Sequence, residues 1–458
     1  MTKGLLEHPL RGSYDPATVF ATLCGQSPYA IWWDDHGDRG NGVSYIAEGS
    51  PLELSLNSEI SPQWRSQVRA AHRELLEHFS GPATSYPLGV HLVVPYELAS
   101  ETLGVTLSGD PSAPGCAMVV DRLIACDHRS GTATLVALGQ SWSGELALWR
   151  DELTQRLEAP SSSPAPPVGD KPAVVLDPSL TLTWRDSAQE YLGMIDHAHD
   201  AIARGDAYQV CLTTRVSSSD QIDPVALHQV MRSTNPTHHQ ALLRLGETTI
   251  VSASPETFLD LSASRTLTTR PIKGTRPRGA TPSADHALAE ELLTSDKERA
   301  ENLMIVDLMR NDLSRVCEVG SISVPELLVL ESYTRVHQLV STVTGTLREG
   351  LDPLDVLDAT FPAGSMTGAP KKRAVELLAS WEKSPRGYYS GTYGVWRVDG
   401  SAVFAMTIRA LVANREGFSL GVGGGITALS EPQSEITEVG IKASAFLEAL
   451  GHDQVEYS

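Results

Sequence analysis

The 458-residue chain is 41% hydrophobic and 20% charged, the balance of a soluble globular protein large enough for one elaborate domain or two. A formal net charge of −20 argues against nucleic acid or an anionic membrane as the main partner, while a locally basic site for an anionic small molecule stays open. The five cysteines (Cys24, Cys116, Cys126, Cys211 and Cys317) form no CxxC pair, which argues against a disulfide framework or a thiolate zinc site, and no apolar run is long enough to span a bilayer.

Residues 1–158 read as mixed α and β structure. YAIWWDD (Tyr29–Asp35) and LGVHLVVPYEL (88–98) have the composition of strands, residues 61–79 have the spacing of an amphipathic helix, and Trp32 and Trp33 are assigned to the core. The opening MTKGLLEHPL lacks the apolar centre of a signal peptide, so a cytoplasmic location is expected. Residues 159–172, within EAPSSSPAPPVGDKP, are too rich in proline and serine to pack and read as a linker to a functional region at 173–458. There, residues 187–204 are expected to be helical, followed by the strand AYQVCLTTRVS with Gln209, Cys211 and Thr213 on one face. TTIVSAS (Thr248–Ser254) is a further strand that stops at Pro255, next to Glu256. RTLTTRPIKGTRPRG (265–279) runs as a strand into a basic loop with a lone lysine, Lys273.

Two helices carry the most informative pattern. Ser295 with Glu298 is a capping-box signature opening DKERAENLMIVDLMRN, and Glu298 and Glu301, three apart, share a face. SEITEVGIKASAFLEAL places Ile436, Val439, Ala443, Phe446, Leu447 and Leu450 on a buried stripe, with Glu435, Glu438 and Lys442 on another face. Read alone, Glu438–Lys442 is equally an ordinary surface pair. Two ExxE faces, each beside a glycine-rich or strand-ending turn, point to oxygen ligands for a hard divalent cation; Mg2+ suits a few carboxylates completed by water and substrate oxygens.

Between these helices lie four further candidates. In FPAGSMTGAPKKR (361–373), glycines allow close backbone approach, and a helix start beside Lys371, Lys372 and Arg373 offers N–H groups to an anion. RGYYSGTYG (386–394) supplies tyrosines in a glycine-rich turn. FAMTIRAL (404–411) reads as an apolar strand interrupted by Arg409, whose planar fork suits a carboxylate. SLGVGGGIT (419–427) is a strand ending in Gly423, Gly424 and Gly425, whose N–H groups could hold a second carboxylate.

Taken together, these segments resemble the chorismate-utilising enzymes over roughly residues 201–450. The resemblance is carried by AYQVCLTTR, SPETFL, PIKGTRPRG, DKERAENLMIVDLMRNDL, FPAGSMTGAPKKRA, RGYYSGTYG, TIRA, GGGIT and PQSEITEVGIK. It implies an α/β (α+β) body of two subdomains, with large antiparallel sheets packed face to face, helices outside and the site in the cleft. Carried over by position, it implies Mg2+ on Glu301 and Glu438, with Glu298 and Glu435 assisting through water, holding the ring carboxylate of chorismate. Arg409, Tyr389 and the backbone of Gly423, Gly424 and Gly425 would hold the enolpyruvyl carboxylate. Lys442 would add positive charge near the ring carboxylate, and Thr275 and Ser365 would face the substrate. Glu256 matches the acid that protonates the departing 4-hydroxyl, a task for a carboxyl whose pKa is raised by burial.

Two positions sort the members of this family. Water-using members carry a lysine base where this chain has Gln209, and glutamine cannot deprotonate water, so the resemblance is to the ammonia-using branch. Within that branch, anthranilate-forming members have alanine where PIKGT has Lys273. Members with the lysine form 4-amino-4-deoxychorismate, and the lysine is thought to be a covalent nucleophile. Attack requires a lysine with a lowered pKa, to which burial and the nearby Arg270, Arg276 and Arg278 could contribute; the alternative is that Lys273 only pairs with substrate charge. Many members have histidine before the Leu-Val-Ser of VHQLVST; Gln338 takes that place here and His337 is displaced by one, unless a bulge restores it. No cysteine lies in a glycine-flanked nucleophile elbow, so the resemblance implies a separate glutamine amidotransferase subunit that supplies ammonia, with a further enzyme completing p-aminobenzoate for folate. An anthranilate-forming enzyme is the rival reading, and a non-catalytic chorismate-binding relative a remote one, since Glu256, Lys273, Glu301 and Glu438 all stand.

Overall fold

The computed structural model describes residues 4–35, 42–52, 63–77, 79, 81, 84–110, 112–158, 179–333 and 336–452; the expected linker at 159–172 lies outside the described residues. Tyr29–Asp35 forms the strand its composition predicts, and its two tryptophans show how the molecule is layered. Successive strand side chains point to opposite faces. Trp33 therefore meets Tyr393 and His91, with ring centroids 5.7 and 6.2 Å away, on a second sheet. Trp32 faces the other way, against Phe20 and His228 at 5.4 and 4.6 Å, under a layer of helices.

The first sheet has 12 strands and the second 10, every recorded pairing being antiparallel. Both draw strands from either side of residues 159–172: Tyr29–Asp35 pairs with His239–Leu245 in the first, and Gly89–Val94 with Thr392–Arg397 in the second. One core lies between the sheets, around Trp33, Leu92, Ile250, Val395 and Phe404. The other lies between the first sheet and its helices, around Phe20, Trp32, Ile195, Val210 and Phe446. Each such side chain contributes roughly 1.5–3 kcal/mol by leaving water, so the sheets are held on both faces.

Local signals account for most elements. Helix Ala188–Ala203 starts where Ser187 and Glu190 form a complete capping box. Helix Pro432–Ala449 buries Ile436, Val439, Ala443, Phe446 and Leu447 on the expected stripe. Helix Gln63–Glu77 falls inside the predicted 61–79. The expected single strand at 404–411 is a correction. Ala402–Met406 pairs within the second sheet and Ala410–Asn414 within the first. Between them Arg409 takes φ +48°, the left-handed backbone that a chain adopts to turn sharply. The chain makes the opposite passage after Ser254, entering the second sheet at Thr257. Glu256 and Arg409 thus sit at two crossings between the sheets. No helix among the described residues is long and apolar enough to cross a membrane.

Candidate active site

A cavity of about 860 Å³ opens where the two sheets part. Glu256 and Arg409 line it from the two crossings, and Lys273 and Thr275 from the strand Ile272–Pro277 at the edge of the second sheet. Ser365 comes from the short turn Gly364–Met366, and Tyr389 from the segment before strand Thr392–Arg397. Gly423, Gly424 and Gly425 form one wall on strand Gly417–Thr427. The ladder from that strand to Ala410–Asn414 stops at Leu420, which leaves the glycine segment's edge open toward the cavity. Helix Asp296–Ser314 adds Glu298 and Glu301, and helix Pro432–Ala449 adds Glu438 and Lys442. Two expected residues flank the wall on its opposite faces, Gln209 on the side of Lys273 and Glu435 on the other. Gln209 is fully buried against Gly425, where a Cβ would come 2.4 Å from Gln209 Nε2 and 3.2 Å from Lys273 Nζ. Glu435, 1% exposed, lies behind Gly424.

Burial dominates the electrostatics. It raises the Glu256 carboxyl to about 7, against the opposing Ser365 hydroxyl and the ammonium groups of Lys273 and Lys442. Burial likewise lifts Glu301 to about 7, opposed by Lys273 and Lys297. Lys442, 2.6 Å from Glu438, outweighs burial there and holds that carboxyl down to about 2. Lys442 Nζ also donates to the Gly423 carbonyl at 2.8 Å. Burial pulls the Arg409 guanidinium down, and it forms no ion pair among the described residues, leaving its fork free for an anion.

The expectation of a lowered Lys273 pKa is overturned for the ligand-free protein. Burial does pull it down, but Glu301, 4.0 Å away, and then Cys211, Glu256 and Glu438 outweigh that and raise it. The three arginines expected to help are occupied: Arg270 by Glu331, Arg276 by Glu291 and Glu298, Arg278 by Asp285. The basic cluster after the FPAGSMTGAP turn also serves elsewhere. Lys371 is buried against Asp312 and the Thr360 carbonyl, and Arg373 reaches Asp206 and Glu376; the turn gives the cavity Ser365 and Met366. Strand alternation decides the histidine register. Gln338 lines the cavity, while His337 points the other way, 2.9 Å from Asp285 Oδ1 and 2.7 Å from Ser332 Oγ.

Among the described residues no group of three or more carboxylate, histidine or cysteine side chains is gathered to hold a metal ion. The four glutamates expected around Mg2+ each meet a protein cation: Glu298 meets Arg276 at 3.2 Å, Glu301 meets Lys297 at 3.9 Å, Glu435 meets Lys297 at 2.7 Å, and Glu438 meets Lys442. Ser295 caps Glu298 N, yet the Glu298 carboxylate goes to Arg276, so only half of the capping box forms. Two buried oxygens, Glu301 Oε1 and Glu435 Oε2, accept no hydrogen bond. Buried carboxylate oxygens without donors are costly and are what a hard cation completes, so this donor set fits Mg2+ in chemistry.

Sequence reasoning missed Lys297, although its place four residues before Glu301 was a signal. It also missed Gly421, where a Cβ would come 2.2 Å from Cγ of Tyr389. Arg386 was quoted only within a motif. It is buried, pairs with Glu382, donates to the carbonyls of Met366 and Cys211 at 2.7 and 2.8 Å, and so ties three cavity-lining segments together.

The family model described as chorismate binding enzyme matches residues 28–448. An aminodeoxychorismate synthase from Streptomyces griseus is 38% identical over 95% of this chain and 63% of its own length. One from Streptomyces pristinaespiralis is 38% identical over 81% of this chain and 52% of its own. The chain therefore spans between half and two thirds of those relatives. Anthranilate synthase component 1 from Mycobacterium tuberculosis (strain ATCC 25618 / H37Rv) is also 38% identical, over 71% of this chain and 65% of its own length. Among solved structures, anthranilate synthase component I from Streptococcus pneumoniae TIGR4 superposes with a TM-score of 0.70 at 28% identity, covering 96% of this chain and 92% of that one. The menaquinone-specific isochorismate synthase from Escherichia coli, at 20% identity and a TM-score of 0.72 over 98% of this chain and 95% of its own, shares the fold.

Proposed function

This chain belongs to the chorismate binding enzyme family, and we propose that within it the chain converts chorismate and ammonia to 4-amino-4-deoxychorismate. The observation that carries the reading is Lys273 in the wall of the same cavity as Glu256, whose buried carboxyl keeps a proton near neutral pH. The amine of Lys273 bonds to ring carbon 2, the ring double bonds shift, and the bond from carbon 4 to its hydroxyl breaks as Glu256 gives up its proton to release water. Ammonia then bonds to carbon 4 and passes a proton to the Glu256 carboxylate, the double bonds shift back, and the bond to Lys273 breaks with its electron pair returning to the lysine nitrogen and the enolpyruvyl group retained. Arg409, Tyr389 and the open edge at Gly423–Gly425 bind the enolpyruvyl carboxylate; Lys442, Thr275 and Ser365 orient the ring. Gln209, an amide with both polar atoms unpaired beside Gly425 and on the side of Lys273, holds no base that could activate water in place of ammonia. Magnesium held by Glu301 and Glu438, with Glu298 and Glu435 assisting through water, would supply positive charge for the ring carboxylate.

Ammonia comes from outside the described residues. Burial raises the thiol pKa of each of the five cysteines, to about 12 for Cys116 and Cys126 and about 11 for Cys317, which is the opposite of an activated glutaminase nucleophile. A glutamine amidotransferase is the proposed supplier and free ammonia its substitute. The rival, anthranilate formation, is favoured by the 38% identity to the mycobacterial component 1 and opposed by Lys273. Incubating the chain with chorismate, Mg2+ and an ammonium salt, and identifying the product by mass spectrometry, separates the two. Wild type should give 4-amino-4-deoxychorismate, and Lys273→Ala should lose at least about a thousandfold in rate. Anthranilate or isochorismate from wild type would overturn the proposal.

A further inference from the structure

The carboxylates of the two ExxE faces each meet a protein cation before any metal arrives. Arg276, Lys273, Lys297 and Lys442 stand against Glu298, Glu301, Glu435 and Glu438. Among these cations Lys297 alone touches a glutamate from each helix, Glu435 at 2.7 Å and Glu301 at 3.9 Å. Those two glutamates carry the oxygens that accept no hydrogen bond. The carboxylates themselves are fixed, their side chains being 1% and 8% exposed. The Lys297 side chain is 29% exposed, sits in the first turn of its helix and lines the cavity, so its four-carbon stem can carry the ammonium out while the glutamates stay.

We infer that Lys297 is a built-in stand-in for the divalent cation: it bridges Glu301 and Glu435, and its ammonium must be displaced before Glu301 can hold the metal together with Glu438 while Glu435 assists through water. The inference rests on the proposed reading insofar as it takes these glutamates as the cation's binding place. Without some positive charge, two buried carboxylates facing each other would repel strongly. With Lys297 in place part of that repulsion is already offset, so a lone divalent ion, which must displace the ammonium, gains less by entering. Chorismate changes the balance, because its ring carboxylate adds the negative charge that a displaced ammonium leaves room to neutralise. Metal and substrate should therefore strengthen each other's binding, by the same factor in each direction.

The test is a calorimetric titration of chorismate-free protein with MgCl2, comparing wild type, Lys297→Met, Lys297→Arg and the double variant Lys297→Met with Glu301→Gln. Lys297→Met keeps the apolar stem and removes the charge, and should bind Mg2+ at least about tenfold more tightly than wild type. Lys297→Arg should bind no more tightly than wild type, and the double variant should lose the gain. If Lys297→Met is too unstable to titrate, its melting temperature should rise with MgCl2 well beyond the rise seen for wild type. Equal affinity, or an equal rise, in wild type and Lys297→Met overturns the inference, as does a gain that survives Glu301→Gln. The outcome is separable from the proposed reaction: if wild type makes no 4-amino-4-deoxychorismate while Lys297→Met binds Mg2+ more tightly, the reaction is refuted and the stand-in role stands.

Discussion

Replacing Glu256 with glutamine should make the protein more stable at alkaline pH while abolishing its chemistry. The folded protein holds the Glu256 proton to about 7, against an ordinary value of 4.5, because burial disfavours the carboxylate. Folded protein therefore binds more protons than unfolded chain between those values, and stability falls as pH rises from 4.5 to about 7, the full penalty standing above it. The difference corresponds to about 3 kcal/mol. With an unfolding entropy of about 2.1 cal/mol/K per residue, 458 residues give about 1 kcal/mol/K, so this shifts the melting temperature by about 3 °C. The assay is thermal denaturation of wild type and Glu256→Gln, free of chorismate and metal, at about pH 5 and about pH 8.5. The variant should gain about 3 °C on wild type between the two conditions. Comparing the two pH values cancels any cost of the amide's own hydrogen bonding, which does not titrate. A difference that stays constant with pH would show that Glu256 titrates as an ordinary carboxyl and would remove it as the proton donor near neutrality.

Gly425→Ala would put a Cβ 2.4 Å from Gln209 Nε2 and 3.2 Å from Lys273 Nζ, so the turnover rate should fall about a hundredfold by misplacing the lysine; rates near wild type would show that the pair has room to give. His337→Ala should change kcat/KM for chorismate by less than about twofold, since its ring faces Asp285 and Ser332, while melting slightly earlier; a large kinetic loss would place His337 in the reaction. Arg386→Met leaves the Glu382 carboxylate buried beside an apolar side chain and should cost about 3–5 kcal/mol in urea denaturation, with a loss below about 1 kcal/mol as the contrary result.

What the sequence made legible was local in origin. The helix expected at 187–204, the apolar stripe from Ile436 to Phe446 and the strand Tyr29–Asp35 each follow from residues within a few positions of one another. The residue types gathered around the cavity were legible too, because acids three apart on a helix and glycines in a row at a strand end are patterns within one element. The run at 404–411 misled because it is apolar through both halves, and nothing in an apolar run marks where one sheet hands the chain to the other. That handover is a property of layering: Met406 and Ala410 are both core residues, but of strands in different sheets.

Counter-charges were illegible for a related reason, and they decide what the site does. Arg270 is satisfied by Glu331, 61 residues away, Lys371 by Asp312, 59 residues away, and Lys297 by Glu435, 138 residues away. A lysine or arginine read beside its sequence neighbours looks like free positive charge, so the arginines around Lys273 were expected to ease its deprotonation. Once folded, those arginines are spent on carboxylates 7 to 61 residues away, and the groups actually facing Lys273 are acids, with Glu301 the foremost after burial itself. The acids around Lys273, the proposed nucleophile, therefore favour its protonated form. A pH profile of the reaction should accordingly show chorismate consumption still rising with pH in a range where an ordinary buried lysine would already have lost its proton. A rate that has levelled off near neutrality would mean that substrate binding removes the acids' hold on Lys273 before the lysine attacks.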